Sequence, residues 1–448
     1  MRPIERTLFR RFVEDTDWVL VGVVLILLVS GVLGLFSATL NFGDSAKYMT
    51  TQLVSIAIGI VGFFILLSFN YQNFKYFRPS LYVLSIILLG SVLIFGTTMR
   101  GTKGWFDLGF FSLQPVELTK IIFILVIAGY LDLKAREIRN ISVLVISLLF
   151  LFGHLVLVMM QPDFSSTLSY LPISLVLLYI AGVNSEYLLS LILFGAIAVG
   201  IPLMKTFFKL QPDLLNVSPI LHYLVKSTEH FFDAIIIVSI VILLIFLIWW
   251  FLIRFKINVP LLFPIIISII IIMGSAASMV VEKSIREYQR KRLIVFLNPE
   301  IDPLGSGYNI IQSKIAIGSG RITGSGLFSG KQTQLGFLPE QHTDFIFAVL
   351  GEETGYLVSQ FLIIVYFILV WRAVVIARDA RDRYGSYVAS GIATMFAFSG
   401  IINIGMVMGL MPTTGLPLPL LSYGGSSMVS SLCAIGLLFS IHIRRFTN

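Results

Sequence analysis

Residues 288–344 read YQRKRLIVFLNPEIDPLGSGYNIIQSKIAIGSGRITGSGLFSGKQTQLGFLPEQHTD. The stretch opens on a basic run, sets Asp302 ahead of Pro303, passes through a glycine-rich middle and closes on Glu340, His342 and Asp344. On either side the sequence turns apolar, over 259–281 and 345–375. Each flank is long enough to cross a bilayer, since ~20 helical residues at about 1.5 Å each span the hydrocarbon core. A polar segment of this length between two spans is uncommon unless it is functional or disordered. It also carries IVFL, NIIQ and FLPE, more apolar material than a solvated linker holds. These features predict a large folded loop, 282–343, supported by the helices around it.

Outward from that loop the apolar pattern repeats. Spans are expected at 18–40, 53–69, 81–96, 116–131, 141–160, 168–183, 187–204, 234–253, 259–281, 345–375, 388–411 and 428–443. The 448 residues are 57% hydrophobic and only 12% charged, about half the charged share of soluble domains. The predicted fold class is therefore all-α, a polytopic helical membrane protein of about 12 spans forming one domain, 1–448. The first apolar segment lacks a small-residue cleavage site and is expected to remain as a span. The one cysteine, Cys433, excludes internal disulfides and a thiolate metal cluster.

The net charge of +8 needs no nucleic-acid partner, because basic residues collect at membrane edges. Alternate short loops hold Arg2, Arg6, Arg10 and Arg11, then Lys75 and Arg78, then Lys134, Arg136 and Arg139, with Arg254, Lys256, Arg372, Arg378, Arg381, Arg383, Arg444 and Arg445 following. The positive-inside rule then puts both termini in the cytoplasm and Asp302 outside. Three irregular segments share its side: 99–115, read as re-entrant or interfacial with Trp105 at headgroup level; 205–232, read as a surface loop; and 411–427, whose prolines forbid a plain helix.

Glu117 and Lys120 lie three apart on one helix face. An unpaired charge at mid-membrane costs ~3 kcal/mol, so the pair is either a structural salt bridge or the wall of a wet cavity. Asp302 precedes a proline, which steers it away from helix, and follows Lys283, Arg286, Arg290, Lys291 and Arg292. These cations suit either anionic lipid or an anionic ligand. The glycines from 318 to 330 lack the Ser/Thr of a phosphate loop and predict close backbone approach instead. Thr343 is expected to cap a helix with Asp344 in its first turn, and His154 to be hydrogen-bonded core.

QPVELTK (114–120), QPDFSSTL (161–168), YQRKR (288–292), NPEIDPLGSGYNIIQS (298–313), LGFLPEQHTDFIFAVLGEE (335–353) and NIGMVMGLMPTTGLPLPLLSYGGSS (403–427) resemble the SEDS family, the RodA, FtsW and SpoVE proteins of bacterial cell-wall synthesis. NIIQSKIAIGSG and KQTQLGFLPE are most similar to the RodA branch. The resemblance implies a peptidoglycan glycosyltransferase of the bacterial cell membrane that polymerises lipid II with a class B penicillin-binding protein. It puts the family's essential aspartate on Asp302 and its intramembrane acid–base pair on Glu117 and Lys120. The site it implies has Asp302 as general base. Glu117, Lys120, Arg290, Arg292, Trp105, Gln312, Ser319, His342 and Asp344 are its substrate-binding residues. No protein metal site is expected; a divalent cation (Mg or Mn) beside the diphosphate is the one candidate cofactor. Arg321 stands where the family has glycine. The family has ten spans, so 205–260 is read as an insertion carrying an extra helical hairpin. The rival functions are a lipid II flippase, which broken helices would suit, and a non-catalytic scaffold that activates a partner synthase.

Overall fold

The computed structural model describes residues 16–446 apart from 42, 100, 108, 110, 211–230, 285–289, 291, 293, 297 and 306. Its longer helices, in chain order, are α1 (Trp18–Thr39), α2 (Ser45–Ser68), α3 (Arg78–Phe95), α4 (Pro115–Leu133), α5 (Ile141–Met160), α6 (Phe164–Ala181), α7 (Ser185–Leu210) and α8 (Phe231–Arg254). They continue as α9 (Leu262–Ser284), α10 (Tyr308–Ser319), α11 (Ile346–Asp379), α12 (Arg383–Val407) and α13 (Gly425–Ile443). Among the described residues eleven helices are long and apolar enough to cross a membrane. The remaining expected span is α4, which carries Glu117, Lys120 and Asp132 and yet is buried along most of its length. The chain is an all-α polytopic membrane protein.

It divides into two compact units, one built from Met1–Val183 and Asn309–Asn448, the other from Asn184–Tyr308. In the first unit α4 packs against α3, α5, α6, α12 and α13. A helix so enclosed can hold charge only where the charges satisfy one another. The pair α2 and α13 packs along a seam of glycines. A Cβ at Gly436 would stand 2.6 Å from the Phe63 carbonyl, one at Gly59 2.5 Å from Leu432, and one at Gly62 2.6 Å from Cys433. Small residues let two helix backbones approach in lipid, where apolar burial alone gives no driving force.

The glycine-rich segment lies against the start of α11, as its composition predicts. Gly355 (φ 75°) breaks that helix, and a Cβ at Gly324 would sit 2.1 Å from the Glu353 carbonyl. Backbone bonds join the two runs: Ser325 N–H donates to Glu352 O (3.0 Å), Gly326 N–H to Glu353 O (3.0 Å) and Tyr356 N–H to Arg321 O (2.9 Å). Arg321 itself adopts φ 50°, the left-handed region that glycine tolerates best.

An antiparallel three-stranded meander follows α3, with β1 (Thr97–Met99), β2 (Thr102–Asp107) and β3 (Ser112–Leu113) in that order. A re-entrant or interfacial segment is expected over 99–115, and most of its described residues take this ladder. The ladder satisfies backbone groups that a glycine- and aromatic-rich run leaves open. Residues 408–424 are irregular, as their prolines require.

In the second unit α9 packs along α7, where Gly274 admits Ile197. Helix α8 also touches α9, and Trp249 Nε1 donates to the Val259 carbonyl (2.9 Å). Most of 205–232 lies outside the described residues, although α7 runs on through Lys205 to Leu210.

Candidate active site

Polar residues of the first unit meet where α4, α6 and α13 begin. Pro115 opens α4 at its first turn, where a missing N–H costs nothing. Lys120 Nζ donates to Glu117 Oε1 at 2.8 Å, and both residues are under a tenth exposed. The sequence reading of a paired charge on one helix face is borne out. Gln114 joins the three helix starts. Its backbone N–H donates to Ser426 Oγ in the first turn of α13 (2.6 Å), and its side-chain amide to Asp163 Oδ2 (3.1 Å). Asp163 caps α6, accepting from Ser166 N–H (2.9 Å) and Ser166 Oγ (2.7 Å). Burial pushes the Asp163 carboxyl above the usual carboxylate range, opposed by those bonds and by the Lys120 ammonium. Three helix N-termini so gathered turn their positive dipole ends to one region, where the Glu117 and Asp163 carboxylates already lie.

The broken segment 411–424 closes over this cluster. Ser165 Oγ donates to the Thr414 carbonyl, and Asn403 Nδ2 donates to the carbonyls of Leu416 (2.7 Å) and Asp344 (2.9 Å). Gly415, at φ 80°, lies so close that a Cβ would be 3.3 Å from Asp344 Oδ2. His342 packs between the rings of Tyr48 (4.9 Å) and Tyr423 (5.6 Å). The Thr343 cap does not form. Phe345 is the N-cap of α11, while Thr343 Oγ1 turns back to Glu340 Oε2 (3.2 Å) across a turn with Glu340 at φ 52°. Glu352 holds the preceding loop, accepting from Gln332 N–H (2.8 Å), Thr333 N–H (3.0 Å) and Thr333 Oγ1 (2.8 Å).

Trp105 lies on β2 of the meander, whose far strand meets the cluster through Ser112 O and Ser426 Oγ (3.1 Å). Gln312 and Ser319 sit on α10. Ser319 is turned onto the Ala316 carbonyl (2.7 Å), and neither residue hydrogen-bonds to the cluster among the described residues. His154 is core, as expected: Nε2 contacts Ser85 Oγ (2.9 Å) and Nδ1 the Phe150 carbonyl (3.0 Å).

In the second unit Asp302 ends a short 3₁₀ turn, Pro299–Ile301, that Asn298 caps through Glu300 N–H (3.2 Å). The Asp302 carbonyl accepts from Gly305 N–H (3.3 Å) and Gly307 N–H (2.9 Å). A Cβ at Gly305 would stand 2.5 Å from both carboxylate oxygens, so glycine is what lets the chain fold over the acid. Arg290 is half-buried, with Nη1 3.8 Å from Glu282 Oε1, while Lys205 Nζ holds Glu282 Oε2 at 2.9 Å. Arg292 is exposed. Arg286 and Lys291 lie outside the described residues. Among the described residues no group of three or more His, Cys, Asp or Glu is placed to hold a metal ion.

The model of the FtsW, RodA and SpoVE family, described as "Cell cycle protein", matches residues 16–212 and 232–446. The chain belongs to the FtsW/RodA/SpoVE family. Within it the chain is similar to "Peptidoglycan glycosyltransferase RodA" of Treponema pallidum, 34% identical over 97% of this chain and 99% of that protein. It is 33% identical to "Probable peptidoglycan glycosyltransferase FtsW" of Trichlorobacter lovleyi, over 98% of this chain and 96% of that one. A chain of a solved peptidoglycan synthase complex shares the fold with a TM-score of 0.64 and 26% identity, covering 96% of this chain and 99% of its own length. The gap between the two matched stretches, 213–231, falls inside the 205–260 segment read as an insertion, and the match continues through α8.

For this FtsW/RodA/SpoVE member the sequence reading overlooked Gln114, Asp163 and Ser426 as site residues. QPVELTK and QPDFSSTL both place Gln-Pro ahead of an acid and a helix, and that repeated signature was the available signal. That the two helix starts lie side by side depends on packing that no local pattern encodes.

Proposed function

We propose that the chain is a peptidoglycan glycosyltransferase that polymerises lipid II during cell elongation, with Asp302 as general base. The observation that carries the reading is the turn around Asp302, where glycine at 305 leaves the carboxylate room against the backbone. It stands in a chain whose full-length relatives bear that activity as their name. Lipid II carries its sugar on a diphosphate, a good leaving group, so the reaction needs one base and positive charge rather than the two carboxylates of a glycoside hydrolase.

Asp302 takes the proton of the acceptor sugar's 4-hydroxyl. The oxygen attacks the donor's anomeric carbon, the bond to the diphosphate breaks, and the undecaprenyl diphosphate leaves with inversion. Arg290 and Arg292 offset the diphosphate charge. A divalent cation, Mg or Mn, would come bound to the substrate rather than to a protein carboxylate cluster, and would offset part of the diphosphate charge. The protein works in the bacterial cell membrane, with both termini cytoplasmic and Asp302 outside. Its partner is a class B penicillin-binding protein, a reading supported by the likeness to a chain of a peptidoglycan synthase complex.

The test is polymerisation of lipid II by the purified protein with its partner synthase, with and without chelator. Asp302→Asn should lower the rate by at least ~10²-fold, the usual worth of a positioned base, at unchanged expression. Polymer formed at the normal rate would refute the base, and lipid II moved across liposomes without polymer would favour the flippase.

A further inference from the structure

α4 and α6 both run away from the cluster at Gln114 and Asp163, and α12 packs antiparallel against them. At the opposite end of this unit Ala135, Ile180, Ala181, Arg383, Ser386 and Tyr387 line a cavity of about 410 Å³. We infer that this cavity binds the phosphate of an anionic phospholipid headgroup.

The charge of Arg383 is the first ground. Among the described residues it makes no ion pair, while each neighbouring acid is engaged. Asp132 pairs with Lys75 and Glu137 with Lys134. Asp382 accepts from Gly385 N–H (2.7 Å), Gln72 Nε2 (2.6 Å) and Tyr71 OH (3.2 Å). Those three donors are neutral, so Asp382 keeps its charge, and Arg383 with the exposed Arg136 and Arg381 sets three cations against that one carboxylate.

The hydroxyls are the second. Ser386 Oγ and the Tyr387 hydroxyl make no hydrogen bond among the described residues, although Tyr387 is only 6% exposed and Arg383 lies within electrostatic reach of it. Both hydroxyls stay open toward the cavity, where each can donate to a ligand oxygen. All three polar groups belong to the first turns of a 25-residue helix.

The third is the wall. Ile180 (43% exposed), Ala181 and Ala135 are apolar and sit where α6 and α4 end, at the depth of lipid headgroups. A phosphate with its glycerol fits such a volume, with the first acyl carbons against Ile180. Basic pockets between membrane helices are a recurrent way of holding anionic headgroups. A choline headgroup would bring its own cation toward Arg383 and is disfavoured.

The experiment is native mass spectrometry of the full chain in neutral detergent, titrated with phosphatidylglycerol, phosphatidylcholine or inorganic phosphate. Wild type should retain phosphatidylglycerol over phosphatidylcholine. Arg383→Gln should weaken it about tenfold, the loss of one charge-assisted bond, and Tyr387→Phe about threefold. Arg378→Gln, which removes an exposed cation paired with Asp379, should bind as wild type. Equal retention by Arg383→Gln, equal retention of phosphatidylcholine, or binding of inorganic phosphate without phosphatidylglycerol would each overturn the inference. A melting temperature measured alongside confirms the fold. Should Arg383→Gln melt early, Tyr387→Phe, which removes one oxygen, decides the matter.

Discussion

Glu117 and Lys120 were visible in the sequence because charge inside an apolar run is rare, and their spacing fixed a shared face. Whether they hold the fold or face the substrate is a separate matter, and the two roles differ in a measurable way. Removing one partner of a buried pair strands the other, at about 3–5 kcal/mol, whereas removing both is close to neutral. Lys120→Met should therefore lower the melting temperature sharply, and Glu117→Gln with Lys120→Met should recover most of it. If the pair also meets the lipid headgroup, the double variant recovers stability without recovering lipid II polymerisation. Activity restored along with stability would leave a purely structural pair. Asp302 was legible for a different reason, the Asp-Pro step in a basic setting. Asp163 was not, because a helix-capping acid looks ordinary until its neighbours are known.

At the scale of elements, the long helices followed from apolar length alone. The partner of each did not. The glycines of α2 and α13 are scattered through two helices far apart in the chain, and only their packing makes Gly59, Gly62 and Gly436 one seam. Gly436→Leu would drive a side chain into the Phe63 backbone. Overpacking of this kind costs about 1–3 kcal/mol, read as a lower melting temperature in detergent, while Gly22→Leu, on the open face of α1, should leave it unchanged. An equal effect of the two substitutions would remove the seam's special role. The Thr343 cap, expected and not formed, has the same origin. Short runs rich in glycine, proline and aromatics accept several backbones, and their neighbours select one.

For the molecule as a whole, the charge of the short loops predicts which side Asp302 occupies, and chemical labelling can check it. Leu304, beside Asp302, is 91% exposed, and the one native thiol can be removed by Cys433→Ser. In that background Leu304→Cys should react with a membrane-impermeant maleimide in intact spheroplasts, and Arg136→Cys only after permeabilisation. The reverse pattern would invert the protein and end the proposal that polymerisation occurs outside.

The sequence by itself determined a helical membrane protein, the positions of its spans and the polar residues too costly to leave unpaired in lipid. Those follow from the free energy of each residue in hydrocarbon, which is a local property. The tertiary structure alone decided that the starts of α4, α6 and α13 meet around Gln114 and that 411–424 closes over Asp344. It also decided that Arg383 lines a cavity and makes no ion pair among the described residues. Such encounters join residues hundreds of positions apart, and their energy exists only once the helices have packed.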